Sequence, residues 1–297
     1  MRYYSILEMI GNTPHLKLGK LFRNNEVWVK IEKNNPGGSI KDRIALNMII
    51  EAEKKGILKK GMHIIESTSG NTGIGLVLVG RQLGYDVTIV MPESSSIERR
   101  KIIERLGGNL ILTPAQSGMK GSLDKTSEIL EKGGFFNPAQ FSNEVNPDTH
   151  YFYTAEEIIS DFPDGLDYFV AGVGTGGHIS GVGKRLKEVF PDMKIIAVEP
   201  AGSAMLSSGK SGSHKIQGIG AGFIPDNFNS SIVDEIIVVS EDAALNMSEH
   251  LALQEGVLAG FSSGAVISVI KSIDERVNNK IIMGFIYDSY ERYFSSL

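Results

Sequence analysis

The 297-residue chain reads as an α/β protein of two lobes, each built on a mostly parallel sheet flanked by helices. Three observations predict this. Between 61 and 113 short apolar runs alternate with amphipathic segments, the rhythm of buried strands joined by helical crossovers. A second set of the same kind begins at Asp167. Finally, 34 glycines and 41% apolar residues suit a loop-rich globular chain with a sizeable core, not a fibrous or disordered one.

In order along the chain, Ser39 stands where it can cap a helix. That helix continues through Ile40, Ile44, Met48 and Ala52 as an apolar stripe, with Asp42 three residues after the cap to close a capping box. Strands are expected at 63–66, 86–91 and 110–112, with helices from 72 to about 83 and from Ser96 onward. Right-handed crossovers then set strand ends and helix starts on one rim. The second set has strands at 167–171 and 194–198 around a helix that reaches Phe190, and a late strand at 281–286. The Asn- and Pro-rich stretch 143–148 is the expected lobe boundary, and the Gly-Ser tract 207–213 reads as a surface loop.

Charge and composition exclude several function classes. A formal charge of -5, with no concentrated run of Lys or Arg, argues against a nucleic-acid surface. Without cysteine, disulfides, thiolate catalysis and cysteine-ligated metals are ruled out. The six histidines show no paired metal spacing, so no metal site is expected. The start lacks a signal-peptide core and the longest apolar stretch is too short to span a bilayer, which points to a cytoplasmic protein with no membrane partner.

Two motifs carry chemistry together. Lys41 lies in Asn35-Pro-Gly-Gly-Ser-Ile-Lys-Asp-Arg43, within the first helical turn, where the positive end of the helix dipole disfavours an ammonium and so helps an amine that must form a Schiff base. The loop Thr68-Ser-Gly-Asn-Thr72 offers hydroxyls, a carboxamide and turn amides at a second helix start, suited to an amino-acid carboxylate and a phenolic oxygen. The pair points to lysine-bound pyridoxal 5'-phosphate. Gly172-Val-Gly-Thr-Gly-Gly177 follows a strand and opens a helix, so its amides can cradle a phosphate. Read alone this segment is also compatible with a tight turn, or with a dinucleotide, because Gly172, Gly174 and Gly177 fit GxGxxG and Glu199 ends the next strand. An NAD-dependent dehydrogenase is therefore a remote alternative. It leaves Lys41 and the hydroxyl loop without a task.

The chain resembles the cysteine synthase (O-acetylserine sulfhydrylase) and cystathionine β-synthase family of fold-type II pyridoxal-phosphate enzymes. The residues that carry this are Ile10-Gly-Asn-Thr-Pro14, Asn35 to Arg43, Glu66-Ser-Thr-Ser-Gly-Asn-Thr-Gly73, Met91-Pro-Glu, Ser96-Ile-Glu-Arg-Arg100, Gln140-Phe-Ser-Asn143, Gly174-Thr-Gly-Gly177, Gly218-Ile-Gly-Ala-Gly-Phe223, Gly260-Phe-Ser-Ser-Gly264 and Glu291-Arg-Tyr293. The resemblance implies a tryptophan-synthase-β-like fold with a smaller mobile lobe at 36–146, which carries the carboxylate loop. Residues 1–35 and 147–297 would form the larger cofactor-binding lobe. It implies that Lys41 holds the cofactor and later acts as the Cα base, and that Asn71 bonds the ring oxygen. Thr68, Ser69, Thr72 and Gln140 would bind the substrate carboxylate, and Gly174, Thr175, Gly176 and Gly177 the phosphate. Gly220 would lie beside the reacting centre and Ser289 would face the pyridine nitrogen.

The implied reaction is β-replacement on a serine-derived amino acid through α-aminoacrylate, with O-acetylserine and sulfide giving L-cysteine and acetate. The alternative is sulfide-releasing replacement on L-cysteine, giving serine, lanthionine or cystathionine. The resemblance further implies a homodimer and, as a partner, the C-terminal peptide of serine acetyltransferase. This chain departs from the family pattern where His178 follows the phosphate-loop glycines in place of Thr; His178 is expected among the cofactor-binding residues, as a donor to the phosphate that brings a titratable group. Other departures are Tyr287 and Tyr290 flanking Ser289, Gly37-Gly38 before Ser39, and Ser67 for a usual Pro. The two tyrosines leave the leaving group and nucleophile open.

Overall fold

The computed structural model describes residues 2–296. Its strands are β1 (His15–Lys17), β2 (Glu26–Ile31), β3 (His63–Ser67), β4 (Asp86–Pro92), β5 (Asn109–Thr113), β6 (Phe135–Phe136), β7 (Tyr168–Gly172), β8 (Lys194–Pro200), β9 (Glu235–Val239) and β10 (Ile281–Ile286). Among the described residues they form a four-stranded sheet in the order β5-β4-β3-β6 and a six-stranded sheet in the order β1-β2-β10-β7-β8-β9. All pairings are parallel except β1 with β2. The two-sheet α/β architecture expected from the sequence is the one observed.

Contacts divide the chain into two units. The first comprises Met1–Ile10, Asn35–Val145 and Glu291–Leu297, and the second Gly11–Asn34 and Asn146–Tyr290. The division differs from the expected lobes at both termini. Leu7 and Ile10 pack on the core of the first unit, and Ser295 bonds the start of the helix Ile97–Arg105, so the end segments group with that unit. The stretch 143–148 does contain the boundary, but it is not all linker, since a short helix spans Val145–Thr149.

The first unit shows why the strand signal was strong. On β3, Ile64 enters the large cluster with Ile44, Met48, Leu76 and Val87, whereas its neighbour Ile65 enters a second cluster with Val90 and Ile129. Alternate side chains are buried on opposite faces, so the strand reads as one apolar run. Helices Lys41–Lys54 and Asn71–Gln82 belong to the first face and Gly118–Leu130 to the second. In the second unit β7, β8 and β10 are likewise almost wholly buried, and the helices Gly177–Val189 and Phe261–Asp274 follow the same pattern.

Candidate active site

In the first unit, Lys41 opens the helix Lys41–Lys54, as the sequence predicted. The capping box does not form as expected. Ser39 Oγ accepts from the Lys41 amide (3.2 Å), but the Asp42 carboxylate accepts from the Gly37 amide. The cause is the tight turn through Gly37 and Gly38, the latter at φ +77°, which folds that amide back over the helix start. The stripe through Ile40, Ile44, Met48 and Ala52 is buried.

The loop 68–72 opens the helix Asn71–Gln82, and that helix packs close to Lys41: a Cβ on Gly75 would stand 3.1 Å from the Lys41 carbonyl oxygen. Thr68 Oγ1 accepts from the Gly70 amide (3.1 Å). Thr72 Oγ1 donates to Gln140 Oε1 (2.6 Å), and Gln140 Nε2 donates to the Ser67 carbonyl (3.1 Å). Thr68, Thr72 and Gln140 are buried, while Ser69 is exposed at the tip. The structure therefore brings Lys41, Thr68, Ser69, Asn71, Thr72 and Gln140 to two adjacent helix starts.

Beneath this loop lies a group that sequence reading passed over. Glu66 is buried, with Oε1 accepting from the Ser67 amide (3.1 Å) and Oε2 from the Gln140 amide (3.3 Å). Burial pushes its carboxyl up to about 8, partly offset by the amides of Gln140, Ser67 and Ala139. Glu66 is thus a mostly protonated strut at neutral pH. The neighbouring Ser67, which stands where Pro is usual in the family, donates to the Ser122 carbonyl (2.9 Å) and shares a hydrogen bond with Thr126 Oγ1 (2.7 Å).

In the second unit the loop after β7 is shaped by what it cannot accommodate. A Cβ on Gly174 would overlap the Gly218 carbonyl, one on Gly176 (φ +80°) would meet the Phe228 backbone at 2.7 Å, and one on Gly177 would overlap Asn146 Oδ1. Asn146, also missed in the sequence, donates from Nδ2 to Thr175 Oγ1 (3.0 Å). The helix Gly177–Val189 starts here with no acidic residue in its first turn. A glycine cradle at the positive end of a 13-residue helix fits a phosphate group. Gly220, at φ +69°, donates its amide to the Val173 carbonyl (2.9 Å), which places the 218–220 segment against the same loop.

The departures from the family pattern have definite places. The imidazole of His178 is buried, and its ring centroid lies 4.3 Å from Phe285, 5.2 Å from His150, 5.5 Å from Tyr287 and 5.6 Å from Phe169. It fills an aromatic cluster under the loop. Tyr287 accepts a hydrogen bond at its phenol oxygen from the Gly172 amide (3.0 Å), and burial pushes that phenol up, so it stays protonated. The tyrosine braces the strand end from which the glycine loop departs. Tyr290 meets the ring of Phe261 edge-on, and Ser289 between the two tyrosines is half-buried. Glu199 accepts from the amides of Leu206 (2.8 Å) and Ser207 (2.9 Å). Its carboxylate is committed to a turn, which removes the acidic partner that the dinucleotide reading requires.

The chain is similar to known proteins over most of its length. The family model described as "Pyridoxal-phosphate dependent enzyme" matches residues 6–285. A cysteine synthase of a Flavobacterium strain is 51% identical over 262 residues, covering 88% of this chain and 85% of that protein. A cysteine synthase of Staphylococcus aureus is 47% identical over 296 residues, covering 98% of this chain and 96% of its own. Among solved structures, a hydrogen sulfide-producing enzyme from Fusobacterium nucleatum superposes with a TM-score of 0.96 at 43% identity, covering 99% of this chain and 100% of that one. The chain belongs to the pyridoxal-phosphate dependent enzymes, within the group that contains the cysteine synthases, and pyridoxal phosphate is its cofactor.

Proposed function

We propose that this enzyme makes L-cysteine and acetate from O-acetylserine and sulfide. The observation that carries the reading is the pair of adjacent helix starts in the first unit: Lys41 packs against the helix opened by a loop whose side chains are pre-wired through Gln140. In this reading the hydroxyls of Thr68 and Ser69 and the amides of Ser69 and Thr72, with Gln140, take the substrate carboxylate and orient Cα, while the Thr72 hydroxyl, whose proton goes to Gln140, holds that side chain in place. The Nζ of Lys41 anchors the cofactor, then removes the Cα proton and later returns it. Asn71 donates to the ring oxygen. In the second unit the amides of Gly174, Thr175, Gly176 and Gly177 take the phosphate, backed by His178 and Tyr287, with Gly220 beside the reacting carbon and Ser289 at the ring nitrogen. When bound, pyridoxal phosphate supplies the electron sink that acidifies Cα and lets a Cβ substituent depart. Acetate leaves with its C–O electron pair, the sulfur of sulfide bonds Cβ, and the proton held at Lys41 goes back to Cα.

A second reading, sulfide release from L-cysteine, is favoured by the likeness to the Fusobacterium enzyme. Parallel assays of the cofactor-loaded enzyme decide between them. Consumption of O-acetylserine and sulfide with little sulfide release from L-cysteine supports synthesis. Rapid sulfide release from L-cysteine with poor use of O-acetylserine overturns it. The same proposal includes a cytoplasmic homodimer whose carboxylate loop accepts the C-terminal peptide of serine acetyltransferase. Sedimentation tests the dimer, and competition between that peptide and O-acetylserine tests the partner.

A further inference from the structure

The motif Glu291-Arg-Tyr293 has no task in the reading above, yet the structure places it in the first unit. Arg292 is 8% exposed, and its Nη1 donates to Asn71 Oδ1 (2.6 Å) while Nη2 donates to the Gly37 carbonyl. It fills the space beside Gly38, where a Cβ would overlap Nη2. The next residue, Tyr293, is fully buried with the Arg99 guanidinium 4.6 Å above its ring. Arg99 in turn lies against Gly70, where a Cβ would overlap its Cδ. Two consecutive C-terminal residues therefore brace two consecutive loop residues. Ser295 extends the brace by donating to Glu98 Oε2 (2.6 Å), at the start of the helix that carries Arg99.

A guanidinium can only donate, so the Asn71 carboxamide must turn its oxygen to Arg292. The amide end that can meet a ligand oxygen is then the NH2. A phenolate oxygen requires a donor of that kind, and a flipped amide would set oxygen against oxygen. We propose that Arg292 is a positioning residue for the cofactor's ring oxygen. It fixes the amide orientation of Asn71 and ties it to the turn that leads into Lys41. The inference rests on the reading that Asn71 bonds the ring oxygen.

The test uses cofactor-loaded wild type, N71A, R292K, R292Q and the doubles N71A/R292Q and N71A/R292K. It reads the pH dependence of the visible cofactor band, the cofactor dissociation constant and the thermal midpoint of the apoprotein. The expected result is that R292Q moves the band in the same direction as N71A and raises the dissociation constant about tenfold, the order of one lost charged hydrogen bond. Added to N71A it changes neither further. R292K moves both the same way by less, and it carries the test with its own double if R292Q does not fold. The proposal is overturned if the Arg292 variants lower only the apoprotein midpoint and leave the band at its wild-type position. It is equally overturned if their effects add fully to those of N71A, as for independent sites. An unchanged band and dissociation constant in N71A would remove the reading of Asn71 itself, and this inference with it.

Discussion

The two loops that offer donors at helix starts are built by opposite means. In the first unit the loop 68–72 is made of side chains wired to one another, through Thr72, Gln140 and the Ser67 carbonyl. In the second unit the loop 174–177 is made of backbone, with glycines where any Cβ would strike Gly218, Phe228 or Asn146. The wired loop fails when a hydrogen bond is removed, though at Gly70 it too lacks room for a Cβ, whereas the glycine cradle has few side-chain bonds to lose and is closed to a methyl group at Gly174, Gly176 and Gly177. The difference matches the proposed ligands: a phosphate suits converging amides, while an amino-acid carboxylate attached to a reacting carbon needs directional groups.

The largest effect should come from Gly177→Ala. Its methyl would overlap Asn146 Oδ1, and overpacking of this kind costs about 1–3 kcal/mol, so cofactor affinity should fall about ten- to a hundredfold. Fluorescence titration of the apoprotein with pyridoxal phosphate measures it. Wild-type affinity would mean that the loop relaxes freely and that the contrast between the loops is overstated.

Thr72→Val should do the reverse. It keeps the shape but loses the bond to Gln140, so KM for O-acetylserine should rise about tenfold with cofactor affinity unchanged. Steady-state kinetics beside the same titration checks the split, and a loss of cofactor with normal KM would break the assignment of this loop to the substrate.

Glu66→Gln should be mildest at neutral pH, because the native group is already mostly protonated. A carboxyl raised to about 8 in the folded state binds more protons there than when unfolded. Its contribution to stability is therefore full below the unfolded value near 4.5 and is lost as pH rises through about 8. The variant should flatten the fall of the thermal midpoint across that window. An unaltered pH slope would show that Glu66 is ionised and held by its amide donors.

The sequence revealed the sheets where strands are buried on both faces, as with Ile64 and Ile65, and motif ends were placed within a residue or two. It hid β2 because Lys30, wholly buried as the fifth of its six residues, cuts the apolar run short, and the partners that make this possible, the Thr13 carbonyl at 2.8 Å and Glu157 at 2.7 Å, lie elsewhere in the chain. β6 has two residues and no pattern to read. In the candidate site, the place of Lys41 at a helix start and of the glycines in a tight loop was legible, since local sequence determines both. Arg99, Asn146 and Arg292 were not, because a lone polar side chain reads as surface until folding brings Tyr293, Thr175 or Asn71 to it. The place of the C-terminal segment in the first unit was hidden for the same reason.

The most direct test of the account concerns Lys41. The cofactor-loaded enzyme would be reduced with borohydride, digested, and its pyridoxyl-bearing peptide identified by mass spectrometry. The account predicts the label on Lys41 in the wild type, and neither label nor visible band in Lys41→Ala. A label on another lysine, or turnover retained in the alanine variant, would contradict it.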